Sequence, residues 1–142
     1  MPVGTRNQVI PGCGMHHISI QTRDWDASLR LYREVLGMTV VAEFGPPERP
    51  IVLLDMGDGS HIELCAPKPD PPGGEIRVPG DPILHFALAT TDTCAAIEQV
   101  RQGGYQITSE PRTVDLSGIR VTIAFFKGPS GEEIEFFQNH PV

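Results

Sequence analysis

Four residues stand out for the chemistry their types permit: His17, Glu63, His85 and Glu135. Two imidazoles and two carboxylates are the nitrogen and oxygen donors of a divalent-metal site. A carboxylate in such a site can also take a proton from carbon. Each residue alone has a plainer reading, because a strand histidine is commonly hydrogen-bonded or solvated and a glutamate on an open sheet face is commonly wet. Their spacing argues for more. His17 precedes Glu63 by 46 residues, and His85 precedes Glu135 by 50. Gly59 stands four residues before Glu63 in "GSHIEL", as Gly131 does before Glu135 in "GEEIEF". A histidine opening and a glutamate closing each half marks an internal repeat.

Strand alternation assigns the faces. Ile18 and Ile20 oppose His17 and Ser19, and Phe86 and Leu88 oppose His85 and Ala87. Ile62 and Leu64 oppose Glu63, and Ile134 and Phe136 oppose Glu135. The apolar face is expected to meet a helix layer, with His or Glu on the other side. Ser19 and Ala87, two positions beyond the histidines, are small and leave room above the sheet. By the same parity His16 falls on the apolar side as a structural residue. His61 shares a face with Glu63 and either lines a pocket or frays at the turn. Glu133 reads as solvated.

The elements that must position these residues repeat as well. In the first half, "MHHISIQT" (15–22) is a strand and "DWDASLRLYREVLGM" (24–38) a helix with a Trp25, Leu29, Tyr32, Leu36 stripe. Asp24 or Asp26 caps it and Gly37 stops it. Strands follow at 39–44, 51–56 and 61–67. In the second half, a strand at 83–91 precedes a short helix with Ile97 and Val100 inward, then strands at 105–114, 119–128 and 132–138. Between the halves, 67–82 holds six of the fourteen prolines and reads as a linker. That linker and "GPPERP" (45–50) are either pocket walls or plain surface loops.

A chain of 142 residues with 39% apolar content builds one domain with a core, not two independent ones. Eleven basic against eighteen acidic residues leave a net charge of −7, which disfavours nucleic acid and anionic membranes. Neither a signal-peptide layout nor a membrane-length apolar run is present. Three cysteines, Cys13, Cys65 and Cys94, form no C-x-x-C pair and read as reduced thiols of a cytoplasmic protein. Cys65 and Cys94 are expected to be small buried apolar residues.

From "HHISIQTRDWDASLRLYREVLGM" to "FFKGPSGEEIEFFQ" the sequence resembles the vicinal oxygen chelate superfamily, which includes glyoxalase I, methylmalonyl-CoA epimerase, extradiol dioxygenases and the fosfomycin and bleomycin resistance proteins. The resemblance implies an α+β fold: two βαβββ modules forming a curved sheet around a central cleft, with helices outside. It implies a single domain over 1–142, with module one at about 14–66, the linker at 67–82 and module two at about 83–138. It further implies that His17, Glu63, His85 and Glu135 ligate one divalent metal ion (Ni, Co, Mn, Fe or Zn), with His17 chosen from the His16–His17 pair because it directly precedes "ISI".

The His, Glu, His, Glu set is similar to that of bacterial glyoxalase I and of the epimerases. It implies a lyase or isomerase acting on a small α-oxygenated carbonyl compound, with Glu135 as base and Glu63 as its partner, in a homodimer. No residues clearly match the family's glutathione contacts. A ring-cleaving Fe(II) dioxygenase and a non-catalytic small-molecule binding or resistance protein are the alternatives; the intact donor set weighs against the latter.

Overall fold

The computed structural model describes residues 6, 8–9, 15–67, 85–116 and 118–141. The chain divides into two compact units, Met1–Gly74 and Glu75–Val142. The expected linker beyond residue 67, the first two residues of the strand expected at 83–91, and Cys13 lie outside the described residues.

In the first unit the alternating "HISIQ" forms β1 (His17–Gln21). Asp24 then caps helix α1 (Trp25–Leu29) by accepting from the Ala27 backbone N–H at 3.1 Å. The helix does not run on as a regular α-helix. Residues Arg30–Val35 widen into π-helical turns, with Leu36 N donating to Leu31 O at 2.8 Å. Leu31 and Tyr32 in these turns are fully buried, whereas Trp25, Leu29 and Leu36 of the expected stripe are only half-buried. Gly37, at φ +73°, ends the helix as expected. Strands β2 (Thr39–Phe44), β3 (Ile51–Asp55) and β4 (His61–Cys65) complete a sheet of order β1-β4-β3-β2. The meander of β2, β3 and β4 is antiparallel and delivers β4 beside β1, with which it pairs in parallel.

The second unit repeats this plan. It has β5 (Phe86–Ala89), α2 (Thr93–Gln102), β6 (Gln106–Leu116), β7 (Ile119–Lys127) and β8 (Glu133–Asn139), with sheet order β5-β8-β7-β6. Asp92 caps α2 through Ala95 N at 3.0 Å, the counterpart of Asp24 and Ala27. Thr90 N donates to Phe137 O at 3.1 Å just as Thr22 N donates to Cys65 O at 3.1 Å. The last hairpin of each unit is closed alike, by Met56 N to Ser60 O and by Gly128 N to Glu132 O, each 2.9 Å. Gly59 and Gly131 take the same left-handed conformation in these turns, φ +88° and +87°. The repeat read from the sequence is thus a repeat of hydrogen bonds.

Most of each core lies on the face away from the candidate ligands, with Val121 and Ile123 buried on the Glu135 face. Ile20, Ile62 and Leu64 are buried in the first sheet, and Ala124, Phe126, Ile134 and Phe136 in the second. Helix α2 buries Ile97 and Val100, as expected, and each such side chain contributes about 1.5–3 kcal/mol of burial. Thr93 at its start ties it to the sheet, with its N–H donating to Gln138 Oε1 and its hydroxyl to Thr122 O. Cys94 departs from expectation. It is an exposed free thiol, because the first turn of α2 presents Thr93 inward and its neighbour outward.

Candidate functional site

In the parallel ladder of the first unit, His17 stands opposite His61, Ser19 opposite Glu63, and Gln21 opposite Cys65. These six side chains share the face that the buried Ile62 and Leu64 leave. Glu63 is half-buried and held by the Ser19 hydroxyl, which donates to its Oε1 at 2.9 Å. The Cys65 thiol closes the group, 3.6 Å from Ser19 Oγ and 3.8 Å from Glu63 Oε1.

His17 does not pair with Glu63. Its Nδ1 is 2.8 Å from Nδ1 of His16. His16 is not on the apolar side: it precedes the strand, is exposed, and sets its ring 5.1 Å from that of His17 and 5.0 Å from that of His61. Strand parity does not extend to a residue that lies before the ladder begins. His61 does not fray. It is 4% exposed, and the His16 carbonyl accepts from its backbone N–H at 2.9 Å and lies 3.0 Å from its Nδ1.

In the second unit Ala87 stands opposite Glu135, and Phe125 flanks Glu135 from the other side. His85, just ahead of β5, brings Nε2 to 2.9 Å from Glu135 Oε2 and packs edge-on against the Phe125 ring at 5.3 Å. Glu135 is only 7% exposed, although it sits on the face opposite Ile134 and Phe136. Burial of a carboxylate is costly unless a hydrogen-bonding or charged partner compensates, and His85 is that partner. Glu133, expected to be solvated, is half-buried and accepts from Thr108 Oγ1 at 2.7 Å.

The structure therefore gathers the candidate donors in pairs of strands: His17 with Glu63 on one face of β1 and β4, and His85 with Glu135 at the junction of β5 and β8. Among the described residues no three His, Cys, Asp or Glu side chains cluster as a ready cation site. The donor chemistry of each pair, one imidazole and one carboxylate on a common face, fits half the shell of a borderline divalent ion. Cys65 and Cys94 are free thiols. Sequence reasoning missed Ser19 as a polar partner. The signal was the register, which places it directly opposite Glu63.

Residues 14–136 match the Glyoxalase/Bleomycin resistance protein/Dioxygenase superfamily. The chain belongs to this superfamily. It is 32% identical over 128 residues to a lactoylglutathione lyase of Haemophilus influenzae, an alignment covering 87% of this chain and 90% of that protein. Among solved structures it resembles the trypanothione-dependent glyoxalase I of Leishmania major, with TM-score 0.67, 27% identity, and coverage of 89% of this chain and 86% of that one. It also resembles a glyoxalase I mutant of Zea mays, with TM-score 0.72 and 26% identity, over 89% of this chain and 46% of that one. The α+β fold, with two four-stranded sheets and few helices, is the fold of these glyoxalase I-type relatives. No helix of this superfamily member is long and apolar enough, among the described residues, to cross a membrane.

Proposed function

We propose that the protein is a glyoxalase I-like, divalent-metal-dependent lyase acting on the adduct of a small 2-oxoaldehyde with a thiol. One observation carries the reading. A buried carboxylate, Glu135, lies 2.9 Å from an imidazole that the same face presents. The first unit repeats the His and Glu positions on the equivalent strands. The lactoylglutathione lyase and glyoxalase I relatives support the same class.

In this reading His17, Glu63, His85 and Glu135 are the metal ligands. When bound, the ion supplies Lewis-acid polarisation of two neighbouring substrate oxygens. The rest is proton chemistry by the chain. Glu135 takes the proton from the carbon bearing sulfur and hydroxyl and returns it to the adjacent carbonyl carbon, while the hydroxyl proton passes to the neighbouring oxygen. This turns a hemithioacetal into a 2-hydroxy thioester with no net change in atoms or electrons. Burial of Glu135 serves this step by keeping competing water away from the proton being moved. Glu63, held by Ser19, is the partner carboxylate. The free thiols among the described cysteines accord with a reducing, cytoplasmic setting, and homodimer assembly belongs to the same proposal.

The test is to strip the protein with a chelator, reload it separately with Ni, Co, Mn, Fe(II) and Zn, and assay methylglyoxal adducts of glutathione and of other thiols. Turnover with at least one loaded metal and one adduct, abolished by the chelator, is expected. Protein that carries metal and turns over none of the adducts overturns the reading. Oxygen consumption with a catechol by the Fe(II) form would put a dioxygenase in its place.

A further inference from the structure

The two halves match hydrogen bond for hydrogen bond at their caps, crossovers and hairpins, so positions where they differ were not set by the fold. The clearest difference lies beside the two carboxylates. Opposite Glu63 stands Ser19, whose hydroxyl donates to Oε1 at 2.9 Å. Opposite Glu135, at the same ladder position, stands Ala87, which has nothing to donate. The residue two beyond each carboxylate differs in the same sense. Cys65 puts a thiol 3.8 Å from Glu63 Oε1, whereas Phe137 follows Glu135. The second sheet keeps its register with alanine, so the hydroxyl is not needed to pair the strands.

We propose that Ser19 is a positioning residue that fixes Glu63 as a metal-binding carboxylate. The inference rests on the reading above and deepens it. The Ser19 hydroxyl occupies Oε1 of Glu63 and leaves Oε2 for a cation. This fixes which oxygen binds and holds the carboxylate in one rotamer, the usual work of an outer-shell partner. Cys65, 3.6 Å from Ser19 Oγ, buttresses the serine. Glu135 is held differently. Its partner is the His85 imidazole, itself a candidate donor, at 2.9 Å. Two carboxylates at equivalent ladder positions thus have different partners.

The experiment compares metal affinity, by chelator competition with Co(II), for wild type, Ser19→Ala and Ser19→Thr, alongside thermal melting of each apoprotein. Ser19→Ala is expected to lose about 10–100-fold in affinity with its apoprotein melting as wild type does. Ser19→Thr, which keeps the hydroxyl on a strand-compatible side chain, is expected to restore the affinity. Wild-type affinity in Ser19→Ala overturns the inference and leaves the proposed function standing. The same loss in Ser19→Thr as in Ser19→Ala also overturns it, since packing rather than the hydroxyl would then be at work. A wild-type protein that binds no divalent ion overturns the inference together with the function it rests on.

Discussion

Glu135 Oε2 lies 2.9 Å from His85 Nε2, and the carboxylate is almost wholly buried while the imidazole remains partly open to solvent. The pair joins the start of one strand to the middle of its parallel neighbour, a diagonal that β5 and β8 can span because Ala87 leaves the space between them clear. Substitution Glu135→Gln keeps the shape and an oxygen acceptor for His85 but removes the basicity. The folded state should persist, and under the proposed function turnover of the thiol adduct falls by about 10²–10⁴-fold, the usual contribution of a general base. Steady-state kinetics with circular dichroism as the fold control checks this, and full turnover in a metal-loaded Gln variant would remove Glu135 from its role.

The helix caps are the second place where a small change has a calculable effect. Asp24 and Asp92 each accept from a backbone N–H three residues on, at 3.1 and 3.0 Å. Replacing either by alanine leaves that donor unsatisfied and should cost about 1 kcal/mol, within about 0.5–2. Urea denaturation of Asp24→Ala and Asp92→Ala measures it. Equal losses would show that the repeat extends to energetics; no loss in either would show that water replaces the cap.

Much of this architecture is legible in the sequence because period-two alternation, capping aspartates and turn glycines are local signals. The faces of Glu63 and Glu135 and the inward Ile97 and Val100 follow from them. Other features are not local. Alternation does not tell where a strand begins, so parity assigns His16 a face it does not have. The π-helical turns after Leu29 leave no mark in the apolar spacing, which reads as one regular helix over 24–38. Ser19, read only for its small size, becomes Glu63's partner through the β1–β4 register, a property of two distant segments.

Gly131 tests the closing turn that presents β8. Its φ is +87°, and a Cβ built there would meet nothing within 4 Å. Gly131→Ala should therefore be destabilising through the backbone alone, by about 1–2 kcal/mol. Gly131→Asn should cost less, because asparagine tolerates the left-handed region better. Denaturation of the two variants separates strain from steric clash: equal losses would argue against the backbone account.

Asp58 carries a pH dependence whose sign can be stated in advance. In the β3–β4 turn its carboxylate accepts from the Ser60 hydroxyl at 2.5 Å and from the Ser60 N–H at 2.9 Å. The Ser60 hydroxyl bond, and then its backbone bond, hold the Asp58 carboxyl below its ordinary value. A lowered folded-state value means the unfolded chain takes up the proton first as pH falls. The stabilisation is therefore complete above the ordinary carboxylate range and is lost as pH drops through the lowered value. Asp58 is exposed, so solvent screening keeps the effect below about 1 kcal/mol. Comparing wild type with Asp58→Asn by urea denaturation at neutral and at strongly acidic pH isolates it, because every other carboxylate titrates in both proteins. The wild-type advantage should shrink in acid. An advantage that is unchanged, or that grows, would mean the Ser60 contacts do not distinguish the charged from the protonated carboxyl.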